Sequence, residues 1–312
     1  MPGGKKRGQT FPRRDTSRSL ACMERRSVKT KHERLSLKTR LIRVITFNIR
    51  GSFHEGDGTN AWNNRAALNV ETIKRHAPDL IGFQELQSGN LDTYQEKLPG
   101  YGYLLGLRAG NKPPHEFNAI FFDPTRLEVL DSGGFWLSTT PERYSSSWRT
   151  RSIRSANWAN LSCLNTGLSF LHLNTHLDHA SKPARVEGSR LILRKIAGIQ
   201  RSQENAPPAI VTGDFNFAPG SLPHRNFIED CFIDTCLSAG SEDAEDADTF
   251  HAFKGSRYSA RRGPGRIDWI LLKDRRQRIR AKSQSIVRDC DEAAGIYPSD
   301  HYPVLAELVL AG

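Results

Sequence analysis

The sequence predicts a layered α/β domain, and three of its features support this fold class. Short runs rich in β-branched and aromatic residues, typical of strands, recur through residues 41–312. Between them lie stretches whose apolar residues repeat at helical spacing. Several predicted strands also end in a polar residue that an apolar core strand does not need. Because strand ends in a layered α/β fold meet at one rim, these polar residues indicate a functional site.

The first half of this region contains most of the predicted strands. Strands are predicted at 41–49, 79–86, 117–122, 127–130, 134–138, 155–164 and 168–177, with helices at 62–76 and 88–98. Ser88 is expected to cap the second helix. The segments 117–122 and 127–130 are expected to pair with each other across the turn at Asp123-Pro124.

The second half continues the alternation of helices and strands. Helices are predicted at 182–202 and 221–230, strands at 209–211, 266–272, 283–287 and 304–310, and a solvated acidic loop at 242–248. The longer helix is expected to bury a face formed by Val186, Leu193, Ile196 and Ala197. Since the sequence has neither an internal repeat nor a linker after residue 40, we expect one catalytic domain over 41–312.

The strand at 209–211 leads into the most informative motif of the chain. It ends at Thr212-Gly213 and then presents Asp214 and Asn216. Residues two apart on an extended backbone point the same way, so a carboxylate and an amide oxygen face one side. Both are hard oxygen donors of the kind that Mg²⁺ or Mn²⁺ prefers. Taken alone, the motif is equally typical of a turn with a cap.

Other predicted strands end in a similar way, at Asn48, Glu85 and His176, and near Asp268 and Asp300-His301. For any single one of these residues a structural role is the commoner interpretation. Their repetition at successive strand ends favours a common site. Oxygens of Asn48, Glu85 and the Asp214/Asn216 pair could together hold one divalent cation or two, as phosphoester hydrolysis requires.

Two histidines fit the proton transfers of such a reaction. His301 could activate water as the general base, since the adjacent Asp300 can orient its ring and raise its basicity. Asp268 is a candidate for the same orienting role. His176 could protonate the leaving oxygen or contact the phosphate.

Several other classes of protein are excluded or disfavoured. No apolar run approaches the roughly 20 residues that a membrane span needs. Neither a Ser nor a Cys lies in a nucleophile elbow, and there is no phosphate-binding P-loop. The five cysteines are scattered, which favours reduced thiols in an intracellular, cytoplasmic protein.

The positive charge is concentrated at the N-terminus. The chain has a formal net charge of +11, of which residues 1–40, with thirteen Lys/Arg and three acids, contribute +10. We expect this segment to be a disordered basic tail. The sequence allows three interpretations of this segment. It could be a solvated tail, an organellar or nuclear targeting sequence, or the result of a gene start assigned too early, with translation beginning at Met23. Residues 41–312 carry only +1, which gives no electrostatic argument for nucleic acid over the whole domain.

Six ordered motifs resemble the endonuclease/exonuclease/phosphatase superfamily, over about residues 41–312. They read TFNIRG, LIGFQEL, NTHLDH, TGDFN, RIDWIL and YPSDHYPV. The resemblance implies the deoxyribonuclease-I-like fold, a four-layer sandwich of two mostly antiparallel β-sheets packed face to face with helices outside. It also implies activity that depends on Mg²⁺ or Mn²⁺.

The resemblance also implies roles for individual residues. Asn48, Glu85 and Asp300 match metal-site positions, and Asp214 with Asn216 matches the pair at the metal and the attacking water. His301 matches the usual base, Asp268 the carboxylate that orients it, and His176 the histidine of the nuclease and phosphatase branches.

Other segments narrow the resemblance to one branch. Trp62 with Arg65, the FWLS stretch at 135–138 and NTHLDH are similar to a branch of little-characterised metal-dependent hydrolases. The match to abasic-site endonucleases is poorer, because those have a Tyr-bearing segment where this chain has His176. Signatures of inositol phosphatases and sphingomyelinases are not found. Substrate contacts are expected from Arg65, Arg151 and Asp178, although exposed arginines are often merely solvated.

We therefore expect a Mg²⁺- or Mn²⁺-dependent phosphoester hydrolase, acting on phosphodiesters such as nucleic acid through water activated by His301. The alternative is a phosphomonoesterase for a small phosphorylated metabolite, which the near-neutral domain favours, whereas the basic tail favours nucleic acid. A third hypothesis is a silent nucleic-acid or protein binding module, but every motif position keeps a competent residue type. A monomer without a stable protein partner is expected.

Overall fold

A computed structural model describes most of the chain. The described residues are 40–54, 56–110, 112–202, 206–240, 247–258 and 265–311. The basic tail predicted over 1–40 lies outside them except for Arg40, and so does most of the acidic loop predicted at 242–248.

Twelve strands and five α-helices occur in the described residues. The strands are β1 Leu41–Asn48, β2 Leu80–Gln84, β3 Gly102–Leu104, β4 Ile120–Phe122, β5 Leu127–Trp136, β6 Ser155–Cys163, β7 Ser169–His176, β8 Ala209–Asp214, β9 Ile233–Asp234, β10 Asp268–Lys273, β11 Ile279–Ile286 and β12 Val304–Leu310. The helices are α1 Trp62–His76, α2 Ser88–Lys97, α3 Lys182–Arg201, α4 Leu222–Glu229 and α5 Thr235–Ser238.

The strands form two six-stranded sheets with the same pattern of pairing. Their orders are β11-β12-β1-β2-β4-β3 and β5-β6-β7-β8-β10-β9. Each sheet has one parallel pair, β1 with β2 and β7 with β8, flanked by antiparallel pairs on both sides. The predicted pair of mostly antiparallel sheets is confirmed.

Three apolar clusters divide the fold into four layers. Residues that alternate along a strand face opposite sides, so β1 buries Ile42 and Val44 between the sheets and Ile45 and Phe47 against α1 and α2. In the other sheet, Ile210 of β8 faces the space between the sheets, and the strand's alternate residues face α3 and α4. The order is therefore helix, sheet, sheet, helix, as the sequence resemblance implies.

A buried polar network joins the two sheets below the strand ends that carry the predicted site. Gln84 Nε2 donates to Asn174 Oδ1 at 2.7 Å, and Thr212 Oγ1 donates to the same oxygen at 3.1 Å. Gly82 makes room for this contact, because an added Cβ would lie 2.2 Å from Thr212 Oγ1. Buried polar groups need such partners, so the network fixes the sheets relative to each other. The hydrophobic periodicity of the sequence did not predict this polar network.

The expected pairing between 117–122 and 127–130 is wrong. Ile120–Phe122 pairs with β2 and β3 in one sheet, whereas β5 begins at Leu127 and pairs with β6 in the other sheet. The turn at Asp123 therefore passes the chain between sheets. Strand β5 also absorbs the strand predicted at 134–138, with a register shift between Val129 and Asp131.

Two details of the helices also differ from expectation. Gln87, and not Ser88, caps α2, in a reciprocal box with Asn90, whose side-chain oxygen accepts the Gln87 N–H at 2.9 Å. The face of α3 that is fully buried contains Leu191 and Ile192 beside the predicted Ile196. The other predicted residues of that face are only half-buried.

Two further observations concern membrane-spanning segments and the cysteines. Among the described residues, no helix combines the length and the apolar character needed to cross a membrane. No disulfide bond joins the described cysteines, which lie at positions 163, 231, 236 and 290.

Candidate active site

The topology brings four predicted site residues to one end of the space between the sheets. His176 and Asp214 are paired residues at the ends of the parallel strands β7 and β8. Asp268 begins the antiparallel neighbour β10 and pairs with Asp214. Asn48 ends β1 in the opposite sheet and donates from Nδ2 to Asp214 Oδ2 at 3.1 Å. The strand ends therefore converge as the sequence indicated.

The carboxylate of Asp214 is at the centre of this group. Besides Asn48, its Oδ2 atom lies 3.3 Å from His176 Nε2 and 3.8 Å from His301 Nε2. The residue is 2% exposed. Burial, together with the negative charge of Asp268, raises the pKa of Asp214 to about 7. Burial and the neighbouring carboxylates thus disfavour the charged form of Asp214, although His301 partly offsets them.

Asn48 connects Asp214 with Glu85, the residue that follows β2. Its Nδ2 donates to Glu85 Oε1 at 2.9 Å, while its Oδ1 accepts the backbone N–H of Arg50 at 3.0 Å. The amide thus presents its NH₂ group to both carboxylates. In this arrangement Asn48 bridges the two acids, and its expected role as a metal ligand stays a prediction.

Glu85 reaches the site through an unusual backbone conformation. Its φ of +59° lies in the left-handed region, which a residue other than glycine rarely adopts. Such strain persists where surrounding contacts hold it, and it is common at functional sites. Burial alone would raise the pKa of the Glu85 carboxyl, but the Asn48 hydrogen bond and the charges of Arg154, His301 and His54 hold it below its usual value.

His301 is oriented by Asp268 and not by its sequence neighbour Asp300. Its Nδ1 lies 2.9 Å from Asp268 Oδ2, and both side chains are buried. Burial alone would lower the pKa of His301, but the charge and hydrogen bond of Asp268, with Asp214 and Asp300 nearby, raise it to about 10.

His176 is held by an arginine that the sequence analysis missed. Arg154 Nη1 lies 3.0 Å from His176 Nδ1. An arginine always donates, so Nδ1 must be the accepting nitrogen and the ring proton lies on Nε2, which faces Asp214. Burial and the positive charge of Arg154 keep the pKa of His176 well below its usual value, so the ring is neutral.

The sequence did contain a signal for Arg154. The segments 155–164 and 168–177 were both predicted as strands, and a hairpin between them places the residue before one strand beside the end of the other. The observed register pairs Ala156 with Thr175. Arg154 therefore comes to lie beside His176.

Asn216 and Asp300 lie at the edges of the site. The Asn216 N–H donates to Asp214 Oδ1 at 3.0 Å, and its side-chain amide donates to the Leu177 carbonyl at 3.1 Å. Asp300 accepts from Ser299 Oγ at 3.2 Å, and its Oδ2 lies 3.8 Å from an Arg50 nitrogen. Asn216 thus contacts Asp214 directly, and the metal-site roles expected of Asn216 and Asp300 stay predictions.

Arg65 has a structural role that the sequence did not indicate. The residue is 0% exposed. Its guanidinium donates to backbone carbonyls only, those of Ile49, Arg50, Gly51, Asn60 and Pro298. All donors face backbone, so this placement corrects the expected contact between Arg65 and substrate phosphate.

Asp178 likewise holds the backbone. Its carboxylate accepts N–H groups of Arg151 and Ser152 on one oxygen and of Ala180 and Ser181 on the other, at 2.6 to 3.2 Å. These donors outweigh burial and hold the pKa of Asp178 below its usual value. The residue is 2% exposed, so we correct its expected role from substrate binding to anchoring this loop. Arg151, whose side chain is exposed, keeps its predicted role as a hypothesis.

Comparison with known proteins fits this geometry. A sequence model described as the Endonuclease/Exonuclease/phosphatase family matches residues 45–301. The chain belongs to this family.

Two solved structures support the assignment, and one curated relative matches part of the chain. A mannosyl-6-phosphatase of Bacteroides thetaiotaomicron is 30% identical, with 86% of this chain and 100% of that chain covered and a TM-score of 0.75. An endonuclease/exonuclease/phosphatase protein of Bacteroides vulgatus is 31% identical, with 86% and 99% covered and a TM-score of 0.74. A protein of Acanthamoeba polyphaga mimivirus is 26% identical over 112 residues, which span 34% of this chain and 42% of that relative.

Members of this family generally use divalent metals, and the residues present fit such an ion. Glu85 and Asp214 are hard oxygen donors that share a neutral amide donor, Asn48. A second candidate group consists of Asp214, Asp268 and His301, whose potential ligand atoms all lie within 4.8 Å of one another. The 2.9 Å hydrogen bond between Asp268 and His301 occupies one potential ligand atom of each of these two residues.

Proposed function

We propose that this chain is a Mg²⁺- or Mn²⁺-dependent phosphoester hydrolase in which His301 activates water. The observation that carries this proposal is the position of Asp214. One of its oxygens lies within 3.8 Å of Nε2 of both histidines and accepts a hydrogen bond from Asn48. A carboxylate shared in this way suits a metal ligand beside a general base.

Each side chain then has a part in the reaction. When bound by Glu85 and Asp214, the cation would neutralise negative charge on the phosphoryl oxygens. In its neutral form His301 takes a proton from water at Nε2, because Asp268 engages its Nδ1. Against the effect of burial, nearby carboxylates raise the pKa of His301 and favour its charged form, and a bound cation would offset their charge and favour the neutral ring. His176, neutral with its proton on Nε2, donates a hydrogen bond to a phosphoryl oxygen, and Arg154 adds positive charge behind it.

A phosphomonoesterase acting on a small phosphorylated molecule is the second candidate. A mannosyl-6-phosphatase that is 30% identical over its whole length favours this alternative over the phosphodiesters expected from the sequence. The net charge of only +1 over residues 41–312 points the same way, since nucleic-acid binding depends on many positive contacts. An intracellular, monomeric protein remains our prediction.

Hydrolysis of two chromogenic substrates tests the proposal. Bis-(p-nitrophenyl) phosphate and p-nitrophenyl phosphate are compared with Mg²⁺, Mn²⁺ or EDTA, using Asp214→Ala as the inactive variant and the exposed Glu96→Ala as the matched control. Metal-dependent cleavage lost only in Asp214→Ala is expected, and the preferred substrate separates diesterase from monoesterase. Cleavage that persists in EDTA or in Asp214→Ala would refute the assignment.

A further inference from the structure

His54 lies beside Glu85, the carboxylate expected to bind the cation, and no sequence motif singled it out. Strands β1 and β2 are parallel neighbours in which Asn48 pairs with Gln84, so the chain leaves both strands at the same edge of the sheet. The loop after β1 holds His54, and Glu85 directly follows β2. His54 Nε2 lies 3.6 Å from Glu85 Oε2.

The distance between these two atoms is too long for a hydrogen bond and suits a shared cation. A hydrogen bond between nitrogen and oxygen is about 2.7–3.2 Å long. Two ligand atoms that each lie about 2.1 Å from one ion are roughly 3.0–3.5 Å apart at ligand angles of about 90–110°. The observed 3.6 Å is just above this range, so a small movement of either side chain lets one ion contact both.

The hydrogen bonding of the two side chains is a second, independent observation. His54 Nε2 is buried, yet in the part of the chain that the structure describes it has no hydrogen-bond partner. Buried polar atoms need partners, and one that faces a carboxylate without bonding to it is suited to bind an ion. Glu85 Oε1 accepts the Asn48 amide at 2.9 Å, which leaves Oε2 for the ion. The His54 side chain is 24% exposed, so this position can be reached from solvent.

The loop of this histidine is held on both sides. Before it, Gln87 Oε1 accepts the backbone N–H groups of Ser52 and Phe53 at 2.8 and 2.7 Å. After it, Asp57 accepts hydrogen bonds from the Arg50 guanidinium on both oxygens, at 3.0 and 3.3 Å. A ligand on a backbone held in this way loses little freedom when the ion binds, which favours affinity.

We propose that His54 is a nitrogen ligand of the cation at Glu85, and that it favours Mn²⁺ and later first-row transition ions over Mg²⁺. This inference rests on the cation site of the proposed function. Mg²⁺ is bound mainly by oxygen ligands and keeps several waters, whereas imidazole nitrogen suits transition ions. The oxygens of Glu85 and Asp214 alone suit either ion, so the histidine decides between them.

Calorimetric titration of Mn²⁺ and of Mg²⁺ into the full chain tests the ligand without turnover. His54→Ala should weaken Mn²⁺ binding by at least about tenfold, since losing even a residue that only orients a ligand costs roughly 10- to 100-fold. Mg²⁺ binding should change by less than about twofold, because water readily takes the place of the imidazole in its shell. His179→Ala, at an exposed histidine, should match the wild-type chain.

A second variant keeps the size and polarity of the side chain. His54→Gln puts an amide oxygen near the position of Nε2, so it should retain Mg²⁺ binding and lose the preference for Mn²⁺.

Electron spin echo spectra of the Mn²⁺-loaded chain identify the ligand directly. Coupling of Mn²⁺ to an imidazole nitrogen is expected in the wild-type chain and in His301→Ala, and it should vanish in His54→Ala. The comparison separates a site at His54 from one at His301.

Three results would overturn the assignment. They are an absence of Mn²⁺ binding, a ratio of Mn²⁺ to Mg²⁺ affinity that His54→Ala leaves unchanged, and nitrogen coupling that is missing from the wild-type chain or persists in His54→Ala. If the metal experiments give the expected results but the chain hydrolyses no phosphoester, the proposed function fails and the assignment of His54 as a ligand stands.

Discussion

His301 Nδ1 lies 2.9 Å from Asp268 Oδ2, and this contact determines which nitrogen of the ring can act as a base. The carboxylate accepts the Nδ1 proton, which leaves Nε2 facing Asp214 at 3.8 Å. Asp268 is itself fixed, because its backbone N–H donates to Thr249 Oγ1 at 3.1 Å. The pair therefore defines both the orientation and the tautomer of the ring.

Asp268→Asn should lower kcat by roughly 10³- to 10⁴-fold, as loss of the orienting carboxylate does in triads of this kind. The amide can donate to Nδ1 and so stabilise the wrong tautomer. Because the carboxylate raises the pKa of His301, its loss should also move the acidic limb of the kcat profile to lower pH. Because the pKa of His301 is raised to about 10, steady-state kinetics from about pH 6 to 11 with one fixed metal measure both effects. An unchanged profile would show that His301 is not the base.

Glu85→Gln and His301→Ala distinguish the two candidate metal positions. If the ion is held by Glu85 and Asp214, Glu85→Gln should weaken Mn²⁺ binding by at least roughly tenfold, because a charged ligand becomes neutral at similar shape. His301→Ala should leave the affinity nearly unchanged while removing most turnover. Calorimetric titration of Mn²⁺ gives both values. The reverse ranking would place the ion at the Asp214, Asp268 and His301 group instead.

The main features of this fold could be predicted from local pattern. Helix α1 (Trp62–His76) and strand β12 (Val304–Leu310) have the predicted bounds, because apolar residues recur in each at the spacing typical of that element. The missed strands β3 and β9 have three and two residues, too short for any period to be visible. The wrong pairing after Asp123 had another cause, because local sequence cannot tell whether a turn stays within one sheet or crosses to the next.

Local sequence likewise could not predict the contacts of individual side chains in the site. Motif spacing predicted that Asp214, Asp268 and His301 meet, because the motifs follow strand ends. It could not predict that Arg65 and Asp178 bind backbone groups. The identity of an arginine or aspartate does not show whether its partner is a backbone carbonyl, a backbone amide or a substrate. Only three-dimensional contacts separate these roles.

Arg65→Lys should reduce stability and leave substrate affinity unchanged. A lysine supplies three donors on one nitrogen and cannot reach five carbonyls, so buried acceptors lose their partners. We expect the free energy of unfolding to fall by about 2–4 kcal/mol. Urea denaturation measures this change, and the KM of the folded fraction should stay within about twofold of the wild-type value. A raised KM at unchanged stability would restore the substrate-binding role.

His172, in the polar network below the active site, should make the stability of the protein sensitive to acid. Its Nε2 donates to Thr212 Oγ1 at 2.9 Å, because that hydroxyl gives its own proton to Asn174. Burial lowers the pKa of His172 to about 3, so between the unfolded value of about 6.5 and pH 3 only the unfolded chain takes up the proton. Above this window the ionisation of His172 has no effect on stability. Within it, the free energy of unfolding should fall by about 1.4 kcal/mol for each unit by which the pH is lowered.

His172→Gln keeps a donor for Thr212 but cannot ionise, so its unfolding free energy should depend less steeply on pH between 6 and 4. Urea titrations at several pH values compare it with the wild-type chain and with His179→Gln, whose side chain is exposed and should keep the wild-type slope. Equal slopes in all three proteins would mean that protons reach His172 in the native state, and that the polar network between the sheets opens without global unfolding.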